Sequence, residues 1–192
     1  MRAAELFVRC LENEGVEYIF GIPGEENLDL MDALIDSPIQ FITVRHEQGA
    51  AFMADVYGRL TGRAGVCLGT LGPGATNLIT GVADANLDRA PVVAIAGQGS
   101  THRLHKESHQ IVDLVNLFAP ISKYATSVRE PEVIPEVVRK AFKEATLEKP
   151  GRASSSCPRT SPPRRWQRWR HCGCRTRAHP GRPRIASPMP RR

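Results

Sequence analysis

Residues 45–62 read RHEQGAAFMADVYGRLTG. This stretch decides the fold. It is an amphipathic helical pattern with Glu47 near its start and Arg59 near its end, the polarity that a helix dipole favours. QFITVR (40–45) before it and GVCLGT (65–70) after it are short β-like runs. A strand, a helix and a second strand in this order form a right-handed crossover unit of a parallel sheet.

The same alternation continues in both directions. Residues 3–14 put Leu6, Phe7, Cys10 and Leu11 on one helical face, and Gly15 stops that helix. VEYIFGIPG (16–24) is a strand running into a turn, and residues 25–35 carry Leu28, Met31, Leu34 and Ile35 at helical spacing. Beyond strand three, LGPG leads into a helix over about 74–88. PVVAIAG (91–97) is apolar on both faces and belongs in the middle of a parallel sheet. A polar loop (98–110), a short helix through Leu114, Val115 and Phe118, the strand KYATSV (123–128) and a helix stacking Ile134, Val137, Val138, Ala141 and Phe142 follow. The expected fold class is α/β: three layers, α/β/α, around a mostly parallel sheet.

Composition divides the chain. Of its 192 residues, 1–151 hold 14 Lys and Arg against all 20 Asp and Glu, whereas 152–192 hold 12 Arg, seven Pro and no Lys or acid. The body is thus acidic, unlike a nucleic-acid-binding domain, whose basic footprint lies on the fold itself. The expected domains are 1–151, the α/β body, and 152–192, a tail too poor in aliphatic residues to order itself. A tail with 12 Arg and no Lys reads as a GC-rich gene translated out of frame, in preference to a nucleic-acid-binding arm. Trp166 and Trp169 among its arginines, and Cys157, His171, Cys172 and Cys174 at no common ligand spacing, are covered by the same reading. No apolar run approaches 18 residues, which argues against a membrane span. The first 15 residues carry Glu5, Glu12 and Glu14, unlike a signal or transit peptide. Five Cys with no framework spacing point to a reducing, cytoplasmic setting.

Three features gather at the carboxyl edge of the sheet, where open α/β folds bind ligands. One is Glu47. The others are glycine-rich loops, Gly21-Ile22-Pro23-Gly24-Glu25 and Gly69-Thr70-Leu71-Gly72-Pro73-Gly74-Ala75-Thr76-Asn77. Glycine lets backbone approach a ligand, and helix starts offer free N–H groups. Neither loop has a dinucleotide or Walker spacing. His46 reads as a turn residue, and His102, His105 and His109 lack the partners of a metal site.

In combination, GVEYIFGIPGEENLDLMDAL, RHEQGAAFMADVYGRLTG, GTLGPGATNLITGVADANLDRAPVVAIAGQ and ESHQIVDLVNLFAPISKYA resemble the N-terminal pyrimidine-binding domain of thiamine-diphosphate-dependent enzymes. The resemblance is closest to the large (catalytic) subunit of acetolactate synthase. It implies that Glu47 is the catalytic glutamate, hydrogen-bonded to N1′ of the cofactor's aminopyrimidine and promoting proton loss from the thiazolium. It implies that Pro23 and Gly24, then Gly72, Pro73, Gly74 and Asn77, and Gln110 line the cofactor, with no metal ligand in this domain. The parent reaction is decarboxylation of pyruvate and carboligation to a second 2-keto acid, in branched-chain amino acid or acetoin pathways. Mg²⁺ and, in biosynthetic forms, FAD belong to the full-length family, and no Gly-Asp-Gly motif for the diphosphate occurs in these 192 residues. The implied partners are a second copy in a homodimer or a diphosphate-domain chain.

The chain departs from the family after Gly151. An interior sixth strand of the type P-V-x-I-E-L-P is replaced by Arg-Ala-Ser-Ser-Ser-Cys-Pro. The final strand is therefore expected to be missing, leaving KYATSV without a neighbour. These features add up to a truncated acetolactate-synthase-like subunit with little activity alone. The alternatives are a separately encoded pyrimidine subunit completed by a partner, another thiamine-diphosphate decarboxylase or oxidase, and, remotely, a nucleic-acid binder using the Arg-rich tail.

Overall fold

The computed structural model describes residues 1–104, 106–147 and, by backbone alone, 153–158. The chain forms α1 (Ala3–Asn13), β1 (Tyr18–Gly21), α2 (Leu28–Leu34), β2 (Gln40–Thr43), α3 (Glu47–Thr61) and β3 (Gly65–Gly69). It continues through α4 (Pro73–Leu87), β4 (Val92–Gln98), α5 (Leu114–Phe118), β5 (Tyr124–Ser127), α6 (Ile134–Thr146) and β6 (Ala153–Pro158). The strands make one six-stranded sheet in the order β2-β1-β3-β4-β6-β5, and every pairing is parallel.

Alternation along the central strands produces the three layers. Val66, Leu68, Val93 and Ile95 point to one face, where they pack with Phe7, Val8 and Leu11 of α1 and with Ile134, Val138 and Phe142 of α6. Cys67, Val92, Ala94 and Ala96 point to the other, against Ala50, Ala51 and Ala54 of α3, Leu78 and Val82 of α4 and Phe118 of α5. Each fully buried Leu, Ile or Phe contributes about 1.5–3 kcal/mol. The second face is built largely of alanine, which lets its helices lie close to the sheet and to each other.

The expectation that the final strand is missing is corrected. β6 lies between β4 and β5, pairing Val93 with Ala153 through Gln98 with Pro158 on one side and Tyr124 with Ala153 through Ser127 with Ser156 on the other. The ladder is made of backbone groups. A slot flanked by two parallel strands therefore accepts a segment of unpromising composition if no proline interrupts it, and here Pro158 stands only at the end. β5 keeps its neighbour, and the sheet runs past Gly151. The rest of the expected tail, 159–192, with Trp166, Trp169, His171, Cys172 and Cys174, lies outside the described residues, as does His105. Among the described residues no helix is long and apolar enough to cross a membrane.

Candidate active site

The topology places three loops on one edge. β1 lies between β2 and β3, with Gly21 paired to Thr43 on one side and to Leu68 on the other. The chain leaving β1 enters Pro23-Gly24, that leaving β2 enters His46-Glu47, and that leaving β3 enters Thr70–Gly74. His46 is the N-cap of α3, its Nδ1 accepting the Gln48 N–H at 3.2 Å. Glu47 is thereby fixed as the first residue of the helix. It is only 7% exposed although it carries a carboxylate.

A buried carboxylate needs partners. Asn77, in the second turn of α4, donates from Nδ2 to Glu47 Oε2 at 3.0 Å. The other oxygen, Oε1, faces Gly74: a Cβ there would stand 3.3 Å from it and 2.8 Å from Thr70 Cγ2. A Cβ on Gly24 would lie 2.6 Å from Thr70 Cβ and 2.8 Å from its Oγ1. Thr70 is therefore wedged between the two glycine loops. Its hydroxyl is buried and has no hydrogen-bond partner among the described residues. A buried hydroxyl without a partner costs about 1–3 kcal/mol, and a bound ligand would relieve that cost.

Gly72 has φ +54°, and a Cβ on it would strike Gln110 Cβ and O at 2.7 Å. Gln110, exposed and itself at φ +59°, thus lies directly against the Gly72–Gly74 loop. Its own loop is tied down twice. Gln98 donates from Nε2 to the Val112 carbonyl at 2.9 Å, and Arg103 pairs through Nη1 with Glu26 at 2.8 Å. Of the residues picked out from the sequence, the structure joins Glu47, Asn77 and Gly74 directly, reaches Gly24 through Thr70, and packs Gln110 on Gly72. Pro23 stands exposed in its loop, and Pro73 stands exposed as the first residue of α4. Among the described residues no group of three or more His, Cys, Asp or Glu is placed to hold a metal ion.

Sequence reading passed over two side chains. Thr70 is the last residue of GVCLGT, and its place at a strand end beside the glycines was the available signal. Glu26 reads as one of several acids in a helix start. Its side chain is 4% exposed, with Oε1 held by Arg103 and Oε2 without a partner among the described residues. Only the fold brings Arg103, 77 residues away in sequence, to it.

Residues 1–117 match the family model described as thiamine pyrophosphate enzyme, N-terminal TPP binding domain. The chain is 46% identical over 159 residues to the probable acetolactate synthase large subunit of Methanocaldococcus jannaschii, covering 83% of this chain and 27% of that protein. It is 48% identical to the catabolic acetolactate synthase of Raoultella terrigena, over 81% of this chain and 28% of that protein. It is likewise 48% identical to the acetolactate synthase of Bacillus subtilis, over 82% and 28%. The chain thus spans just over a quarter of the length of these relatives.

Proposed function

The chain belongs to the thiamine pyrophosphate enzyme family through that family's N-terminal domain, and from this premise we propose that it supplies the pyrimidine-facing half of an acetolactate-synthase-type active site. The observation that carries this reading is the state of Glu47. Its carboxylate is buried at the ligand edge of the sheet, with one oxygen engaged by Asn77 and the other facing Gly74.

The residues present fit a planar aminopyrimidine. The two glycine loops bring backbone close around Thr70, which offers a hydroxyl without a partner among the described residues, and Glu47 offers an acceptor oxygen. When bound, thiamine diphosphate supplies an acidic thiazolium C–H and an electron sink for decarboxylating a 2-keto acid such as pyruvate and joining the two-carbon unit to a second 2-keto acid. Glu47 would hold a ring nitrogen through Oε1 and take part in moving a proton there. Gly24 and Gly74 would let their loops close on Thr70, and Thr70 would orient the ring. The diphosphate and Mg²⁺ would be held by a diphosphate-binding domain outside these 192 residues, in the cytoplasm.

The test uses the pyrimidine half alone, 4-amino-5-hydroxymethyl-2-methylpyrimidine, in saturation-transfer NMR with this chain. Dissociation constants near ~1 mM, about 4 kcal/mol, are expected for so small a ligand. Signal that is lost in Glu47→Gln supports the reading, and equal signal from both proteins refutes it. In an enzyme assembled around this domain, Glu47→Gln should lower carboligation by about two orders of magnitude or more.

The completed sheet favours one further reading, in which the domain acts as a separate subunit. β6 closes the edge that an unfinished domain would expose. Co-purification with a diphosphate-domain chain, giving carboligase activity that Glu47→Gln abolishes, would support it.

A further inference from the structure

We propose that Asn77 is a positioning residue that acts through Glu47: its amide engages Oε2 so that Oε1 alone is presented to the ligand. The proposal rests on the reading of Glu47 given above, and it assigns Asn77 a task different from the direct cofactor contact that the family resemblance implies.

Three levels of contact between α3 and α4 carry it. At the top, Asn77 Nδ2 donates to Glu47 Oε2 at 3.0 Å. One turn down on both helices, Gly81 meets Ala51 so closely that a Cβ would stand 2.7 Å from Ala51 Cβ and 3.0 Å from the Phe52 nitrogen. Further down, Arg59 pairs with the buried Asp55 of its own helix and reaches Asp84 at 3.3 Å and Asp88 at 2.6 Å across the helix pair. The two helices run parallel with their register set at each level. The packing below therefore sets Asn77 and Glu47 opposite each other on the two helices.

The chemistry of the pair suits this task. A glutamate at a helix start can rotate about its side-chain torsions and offer either oxygen. A fixed amide donor removes that choice. Being neutral and a donor, the Asn77 amide fills one oxygen of the carboxylate without placing a charge beside it, and the other oxygen is left to accept from the ligand. A carboxylate at position 77 would repel Glu47, and a residue without a donor would leave the buried Oε2 unsatisfied.

The experiment has two readouts on the full chain. The first uses no ligand. The Asn77 side-chain amide signals in a ¹H–¹⁵N spectrum should move in Glu47→Gln, because the charge-assisted bond is replaced by a weaker neutral one. Unmoved signals would overturn the proposal. The second is a double-mutant cycle on binding of the hydroxymethyl-aminopyrimidine. Asn77→Ala, an alanine substitution that a helix tolerates, should weaken binding roughly three- to tenfold in the wild-type background and not at all in Glu47→Asp, whose shorter side chain keeps a carboxylate for the ligand but withdraws it from Asn77. Equal weakening in both backgrounds would overturn the proposal and make Asn77 a direct ligand contact. Absence of binding by the wild-type chain would instead refute the proposed function, and with it any use of the bond, even where the amide signals confirm that the bond exists.

Discussion

Gly81→Ala should destabilise the chain, against the usual rule for a helix interior. Alanine is ordinarily preferred there by about 1 kcal/mol. At Gly81, however, the new methyl would stand 2.7 Å from Ala51 Cβ, a methyl with no rotamer to retreat into, and 3.0 Å from the Phe52 nitrogen. Carbon atoms pack at about 3.5–4.0 Å, so α3 and α4 must separate by roughly 1 Å. Such overpacking costs about 1–3 kcal/mol. The same separation would stretch the Asn77–Glu47 bond from 3.0 Å to about 4 Å, beyond hydrogen-bond range, at a further cost of about 1 kcal/mol. The net expectation is a loss of about 2 kcal/mol, or roughly 4–8 °C in Tm. Gly49→Ala is the matched control. Gly49 is also in a helix, α3, but a Cβ there meets nothing within 4 Å, so this variant should gain about 0.5–1 kcal/mol. Urea unfolding followed by far-UV circular dichroism measures both. If Gly81→Ala proves as stable as Gly49→Ala, the close packing of α3 on α4 does not set the site's geometry.

Three other substitutions probe separate parts of the fold. Thr70→Val removes a buried hydroxyl that has no partner among the described residues while keeping its shape; it should raise stability by about 1 kcal/mol in thermal unfolding and weaken aminopyrimidine binding. Arg59→Ala leaves Asp55, whose side chain is 2% exposed, without its bidentate partner. It should destabilise more than Arg139→Ala, and the excess should shrink in an Asp55→Asn background, as a double-mutant cycle would report. Burial raises the Glu14 carboxyl above its usual range, with Arg139 acting in the opposite direction. A raised folded-state pKa favours the fold below the unfolded value, and this contribution is lost as pH rises through the folded value. Glu14→Gln should therefore gain stability relative to wild type between about pH 4 and pH 7, and unfolding midpoints that keep a constant difference over that range would contradict the assignment.

The sequence was most readable where backbone period and composition agreed. α3 could be placed from its helical pattern with Glu47 near its start and Arg59 near its end, and β3 and β4 from apolar runs bounded by glycine and proline. β6 was not readable, because Ala-Ser-Ser-Ser-Cys carries no strand signature and its pairing is imposed by the slot between β4 and β5. At the candidate site, residue types and loop positions pointed to Glu47 and the glycines, since a carboxylate and two glycine loops at strand ends are visible in one dimension. The hydrogen bond from Asn77, the wedge made by Thr70 and the Glu26–Arg103 pair join residues 30, 46 and 77 positions apart. Such contacts arise only when strand order brings loops together, and no periodicity records them.

The most direct test of the site is a ¹H–¹⁵N map of the chain titrated with the hydroxymethyl-aminopyrimidine. Shifts concentrated at Gly24, Glu47, Thr70, Gly74 and the Asn77 side chain, and absent in Glu47→Gln, are the predicted result. The structure also holds a cavity of about 500 Å³ at the opposite end of the strands, lined by Gly15, Gly62, Arg63, Arg139, Phe142 and neighbouring residues. Shifts clustered there, or a pattern unchanged by Glu47→Gln, would contradict a pyrimidine site at the carboxyl edge.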